Sequence, residues 1–138
     1  MKYWLMKSEP DVYPWSKLVA DGRGTWDGVR NHTAKLNLMA MKVGDRAFFY
    51  HSNIGKAVVG TMEIVRAAYP DPTAEPGAPW VVVDVVPHAA AGTPLALADI
   101  KGIPELSEMA LLKFSRLSVQ PVTPAEWKTV CRRLGLPA

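Results

Sequence analysis

A single cysteine, Cys131, occurs in the 138 residues, so no internal disulfide and no cysteine-built zinc cluster can form. The three histidines, His32, His51 and His88, are dispersed and lack carboxylates at metal-ligand spacing, and neither a metal nor another cofactor is expected. No apolar run approaches membrane length. The longest candidate, Trp80 to Val86, is broken by Asp84, whereas a spanning helix takes roughly 20 residues. Met1 to Lys7 lacks a long apolar segment and a small-residue cleavage site, so no signal peptide is expected and a cytoplasmic location is. The common catalytic signatures are missing as well: there is no His-Glu-x-x-His, no Gly-x-Ser-x-Gly and no phosphate loop ending in Lys-Ser or Lys-Thr. Gly22 to Gly28 has the wrong glycine spacing for a dinucleotide loop.

What is present describes a folded domain. The length suits one domain over residues 1–138 and is too short for an (β/α)8 barrel of roughly 200 residues or more. Hydrophobic residues make up 49% and charged residues 21%, a balance that excludes a disordered chain. The net charge is +3, small but unevenly placed. Residues 1–60 carry nine basic and five acidic side chains, residues 61–104 two and five, and residues 105–138 five and three. A basic first segment would favour a polyanion on one face. Ordinary scatter over a soluble surface would give the same totals.

Local patterns place the elements. Tyr3 to Ser8 reads as a strand stopped at Glu9-Pro10, and Pro14 opens a helix ended by Asp21-Gly22. Asn31 is the expected cap of a helix to about Met41, closed by Gly44. Strands are expected over Asp45 to His51 and Ala57 to Ala68, joined by a hairpin loop at Asn53 to Lys56. Prolines concentrated at 70–79 mark a loop, Trp80 to Val86 is a strand ended by Pro87, and Ala89 to Gly92 reads as a connector. Short helical pieces over 94–113 precede a last strand, Arg116 to Val122. Thr123-Pro124-Ala125-Glu126 is a capping box, and Trp127, Val130, Cys131 and Leu134 form the apolar stripe behind it. Cys131 is thus expected in the core. Strands with helices inserted between them give an α+β class: a small, mostly antiparallel, five- to six-stranded β-barrel with peripheral helices.

Three stretches combine polar groups with aromatics where an element ends: Lys7-Ser8-Glu9-Pro10, Trp26-Asp27-Gly28-Val29-Arg30-Asn31 with Asn37 beyond it, and Phe49-Tyr50-His51-Ser52-Asn53. Together they offer π surface (Trp26, Tyr50), neutral hydrogen-bonding groups (Ser8, Asn31, Asn37, Ser52) and positive charge (Lys7, Arg30). That set suits a nucleotide, since base stacking on an aromatic contributes ~1–3 kcal/mol. Structural roles fit the same residues: Trp26 as a plug of the barrel end, Arg30 in a local pair with Asp27, Ser8 and Asn31 as turn and cap, and His51 as a core histidine. Trp4, Trp15, Trp80 and Trp127 fall in apolar patterns and are assigned to packing.

These stretches, with Met41 to Asp45, Arg66 to Pro72 and Ser115 to Val122, resemble in order the EVE domain family. The resemblance implies a PUA-like fold related to YTH domains, which hold a methylated adenine, and to the eukaryotic thymocyte nuclear proteins. The short form here is similar to bacterial members. It further implies a pocket for a modified base, cytosine or adenine in DNA or RNA, formed by Lys7, Ser8, Trp26, Arg30, Asn31, Asn37, Tyr50, His51 and Ser52, with Arg116 drawing phosphate. His32-Thr33, Leu36 and Phe114 depart from the residues usual at those places, which leaves the particular modification open.

The expected mechanism is binding without chemistry, the base lying against Trp26. A partner nuclease or processing protein would then act on the marked strand. Two other readings stay open. An ASCH-like hydrolase would pair Lys7 with Glu63 or Glu9 as acid and base. A methyl-ammonium reader would build an aromatic cage from Trp26, Tyr50 and Trp80.

Overall fold

The computed structural model describes residues 1–138. In chain order the elements are β1 (Tyr3–Ser8), α1 (Trp15–Asp21), β2 (Gly24–Thr25), α2 (His32–Ala40), β3 (Arg46–His51), β4 (Ala57–Pro70) and β5 (Val81–Ala96). They continue with α3 (Leu97–Ile100), a 3-10 turn (Pro104–Leu106), α4 (Ala110–Lys113), β6 (Val119–Val122) and α5 (Pro124–Leu134). All six strands join one sheet in the order β2-β5-β4-β3-β1-β6. Only β1 and β3 run parallel; every other pair is antiparallel. The α+β reading therefore stands, with one refinement. The end strands β2 and β6 do not hydrogen-bond to each other, so the barrel is open. Helix α2 packs against β4, β5 and β6, so side chains rather than a backbone ladder cover the opening.

Period-2 alternation builds two cores from the same strands. Trp4 and Met6 join Phe49, Ile64, Val83 and Val85 on the face covered by α1 and α2. Leu5 joins Phe48, Tyr50 and Val58 on the face covered by α5. There Trp127 stacks on Phe48 with centroids 4.0 Å apart and on Tyr3 at 4.5 Å. The capping box forms as its residues require: Thr123 Oγ1 accepts from the Glu126 amide, and the Glu126 carboxylate accepts from the Thr123 amide. Cys131 is buried in this core, and burial pushes its thiol up to about 11, which leaves it unreactive at neutral pH.

Three segments differ from their local patterns. β5 runs through Pro87 to Ala96, and Ala89 to Gly92 belongs to the strand rather than to a connector. The ladder tolerates the proline because the register shifts beside it, between Thr61 and Met62, and a bulge leaves room for a residue without an amide hydrogen. β6 begins only at Val119, because Gln120 Nε2 donates to the Phe114 and Leu117 carbonyls and holds the preceding residues in a turn. β2 has no strand-like run behind it. Asp84 holds it, accepting from Thr25 Oγ1 at 3.1 Å and from the preceding Arg23 at 2.8 Å.

At Gly60 the Trp15 ring of α1 lies against the sheet. A Cβ there would lie 2.6 Å from the Trp15 ring and 2.9 Å from the Ala89 carbonyl oxygen, so neither a side chain nor the backbone leaves space. Gly60→Ala should lower unfolding stability by ~1–3 kcal/mol, the usual cost of overpacking. Thr123→Ala should cost ~1 kcal/mol through the lost cap. Urea titrations read both, and an alanine at position 60 as stable as the wild type would contradict the packing of Trp15.

Candidate functional site

The parallel register sets Lys7 beside Tyr50 and Ser8 beside His51, and the Ser52 amide donates to the Ser8 carbonyl at 3.0 Å. The first and third polar stretches therefore meet at one end of the sheet. The pleat then divides them. Lys7 and Tyr50 continue the face of Leu5 and Phe48, while Ser8 and His51 continue the face of Met6 and Phe49, where Trp26 also lies. In place of the expected single cavity lie three clefts in a row, the first and second sharing Lys7 and the second and third sharing Ser115 and Arg116.

The first cleft, of about 530 Å³, lies between Lys7 to Glu9, Tyr13 and the segment Thr25 to Gly28. Trp26 walls it but is only 6% exposed, held edge-on against Phe49 at 5.3 Å and Tyr13 at 6.4 Å. It offers a rim rather than an open stacking face. Ser8 Oγ donates to the Tyr13 carbonyl at 2.6 Å, which fixes the opposite wall. The Tyr13 hydroxyl is buried without a hydrogen-bond partner. His51 does not face this cleft as a free group: its Nε2 accepts from the Trp15 amide at 3.1 Å, and burial lowers its pKa. A neutral ring thus satisfies the first turn of α1.

The second cleft, of about 570 Å³, is shared by Lys7, Tyr50, Ser52, Lys56 and Arg116. Lys7 Nζ donates to the Ser115 carbonyl at 2.8 Å and sits 5.9 Å from the Tyr50 ring centre. Burial lowers its pKa. Lys7, Lys56 and Arg116 enter none of the four ion pairs of the structure, so three cations stand along this groove without acidic partners. The third cleft, of about 620 Å³, carries Asn31, Asn37, Phe114 and again Ser115 and Arg116. Asn31 Oδ1 caps α2 by accepting from the Ala34 amide at 2.9 Å, and Asn37 Nδ2 donates to the Val119 carbonyl at 2.7 Å. Both asparagines spend one side-chain group on the fold.

Arg30 lines none of the three clefts. It pairs with Asp71 at 2.9 Å rather than with the neighbouring Asp27, and it lies 5.8 Å from the Trp80 ring centre. Asp71 also accepts from the Gly28 amide at 3.1 Å and from Thr73. Burial by itself would raise its pKa, but the bonds from Thr73, Arg30 and Gly28 outweigh it and hold the carboxyl well below its ordinary range. The loop 70–80 thus braces the Trp26 to Asn31 segment from behind.

Four cleft residues lie outside the expected base pocket. Glu9 and Asp27 lie inside two of the polar stretches, and both line the first cleft. Lys56, just past the hairpin glycine, and Tyr13 had no distinguishing signal. The acid–base pair of Lys7 with Glu63 does not form. Glu63 pairs in register with Arg46, and Lys7 pairs with Tyr50, four residues away along β3, roughly 13 Å at strand rise. Glu9 accepts from Asn53 Nδ2 at 3.2 Å. Trp26, Tyr50 and Trp80 form no cage either, since Trp26 and Tyr50 belong to opposite faces and Trp80 backs Arg30. No group of three or more His, Cys, Asp or Glu is placed to hold a metal. No helix is long and apolar enough to cross a membrane.

A family model of the EVE domain matches residues 2–133. The chain belongs to the EVE domain family. This EVE domain is 35% identical to human thymocyte nuclear protein 1 over 93% of its own length and 72% of the human chain. A Rhodopseudomonas palustris protein solved by NMR is 54% identical, with a TM-score of 0.92 over 98% of this chain and 94% of that one. The crystal structure of human thymocyte nuclear protein 1 in complex with DNA containing 5-methylcytosine superposes with a TM-score of 0.89 at 33% identity, covering all of both chains. An ASCH protein of Zymomonas mobilis shares the fold at a TM-score of 0.58 with 11% identity over 96% of this chain and 98% of that one.

The brace behind the site makes a pH prediction. A depressed carboxyl contributes stability that is complete above its unfolded value of about 3.9 and is lost as pH falls toward the folded value. Asp71→Asn should cost ~1–3 kcal/mol at pH 7, discounted because its arginine partner is 39% exposed. The gap between variant and wild type should close as pH drops below about 4. Denaturant melts at pH 7 and pH 3 measure both, and a gap independent of pH would refute the assignment.

Proposed function

We propose that this EVE domain reads a modified cytosine in DNA by holding the extruded base in the first cleft while the strand follows the second. The observation that carries this is that Lys7 is shared by two clefts of different chemistry. The first is walled by Trp26 and Tyr13 and bears Glu9 and Asp27, and the second carries three cations that enter no ion pair. Carboxylates accept from the exocyclic amine of cytosine, and cations without acidic partners suit the phosphates on either side. The complex of human thymocyte nuclear protein 1 with 5-methylcytosine DNA supports the choice of ligand, because the two chains share the fold over their whole lengths.

In this reading Ser8 and Trp26 border the base. Tyr50, Ser52, Lys56 and Arg116 track the strand, while Asn31 and Asn37 present their remaining polar groups to it from the third cleft. Arg30 and His51 act from behind, as brace and helix anchor. Extrusion costs a few kcal/mol, and burial of one methyl returns only ~0.8 kcal/mol. Discrimination between cytosine and its methylated form therefore rests on the shape of the Trp26 wall. A reader of this kind leaves the processing of the marked strand to a second protein, such as a nuclease.

Fluorescence anisotropy with duplexes differing only in one 5-methylcytosine tests the reading. The wild type should prefer the methylated duplex. Trp26→Phe, which reshapes the cleft wall, should weaken the preference, Asp27→Asn should lower affinity for both duplexes alike, and the double variant Lys56→Ala/Arg116→Ala should lower affinity for both duplexes and reduce the salt slope by about 2. Equal affinity of the wild type for the two duplexes would sink the proposal. A preference seen only in the corresponding RNA would reassign the nucleic acid.

A further inference from the structure

Phe114 is 58% exposed and is the one aromatic side chain of the protein that lies open to solvent. Its backbone is held on both sides. The Phe114 amide donates to the Ala110 carbonyl at 2.8 Å, and the Leu117 amide donates to the Phe114 carbonyl at 3.0 Å. From inside the fold, fully buried Gln120 donates to both the Phe114 and Leu117 carbonyls, at 3.1 and 2.9 Å. The ring is thus presented on a pinned turn that also carries Ser115, the acceptor for Lys7, and Arg116, which has no acidic partner.

The ring belongs to the wall of the third cleft, and no carboxylate lines that cleft. Of its two cations, Lys113 is paired with Glu108 and Arg116 is free. Ser115 and Arg116 continue the wall into the second cleft. A rigid, exposed aromatic beside an unpaired guanidinium matches a base and its phosphate, because every base offers a π-face and the phosphate fixes the spacing. An apolar protein segment would leave Arg116, the Asn31 amide nitrogen and the Asn37 amide oxygen without polar partners.

We infer that Phe114 is a stacking residue for a neighbouring base of the bound strand, with Arg116 holding the phosphate between that base and the extruded one. This rests on the base-reading function proposed above and adds a second contact, outside the base cleft, for a normal base. Its ligand is a nucleobase of either the same strand as the modification or a plain single strand, and the two sources are separable by experiment.

The test uses the full chain with three variants: Phe114→Leu, which keeps apolar bulk, Phe114→Tyr, which keeps the π-face, and Phe114→Ala. Probes are the 5-methylcytosine duplex, an unmodified single strand, and 5-methyl-dCMP, which needs only the base cleft. Phe114→Leu and Phe114→Ala should bind the duplex about tenfold more weakly, Phe114→Tyr should bind like the wild type, and 5-methyl-dCMP affinity should not change in any variant. A 2-aminopurine next to the modified base should be quenched by the wild type and less so by Phe114→Leu. Loss confined to the unmodified single strand would assign the contact to strand binding in general and overturn its place beside the extruded base. Wild-type duplex affinity in Phe114→Leu would overturn the inference and leave the base-reading function standing. Failure of the wild type to bind 5-methyl-dCMP or the modified duplex would remove that function and this inference with it.

Discussion

Where β1 and β3 lie parallel, both strands reach the same end of the sheet and stop there together, Ser8 beside His51. Parallel pairing of strands far apart in sequence needs a long crossover, and the intervening chain supplies α1, β2 and α2. That crossover is the segment containing Trp26 to Asn31. One pairing therefore brings all three polar stretches to the same end of the molecule. Everything proposed for the groove depends on it, because Lys7 belongs to both the cleft walled by Trp26 and the cleft lined by cations.

The same pairing imposes a division. Successive side chains of a strand point to opposite faces, so Lys7 and Ser8 leave β1 on opposite sides and meet only at the rim of the first cleft, and Tyr50 and His51 likewise diverge from β3. The site consequently takes the form of a groove over the end of a sheet. Residues behind it do mechanical work. Asp71 ties Arg30 and the Gly28 amide to the loop 70–80, His51 holds the start of α1, and Gln120 fixes the turn that presents Phe114 and Arg116. Charge that looks like ligand-binding charge in the sequence divides, in the fold, into braced and free groups. Arg30 is braced; Lys7, Lys56 and Arg116 are free of ion pairs.

Much of the fold was legible because local rules and tertiary packing agree. Pro14, Asp21-Gly22, Asn31 and the capping box at Thr123 mark helix ends through backbone groups that must be satisfied locally. The apolar stripe of α5 placed Cys131 in the core for the same reason. Legibility failed where a distant partner decided. Pro87 reads as a strand terminator, yet a bulge opposite it lets β5 continue. Thr25 becomes a strand residue because Asp84 receives it, and Arg116 to Ser118 is a turn because of Gln120.

By itself the sequence determined which chemistry is available: one thiol on an apolar stripe, and aromatics and amides beside cations, arranged in the order of the EVE family. Composition, caps and periodicity are properties of neighbours along the chain, and no fold is needed to read them. Only the tertiary structure decided which of those groups face a ligand. A cation is free or spent according to whether a residue such as Asp71 reaches it from 41 positions away. An aromatic is a buried wall, like Trp26, or an open platform, like Phe114, according to what packs on its faces.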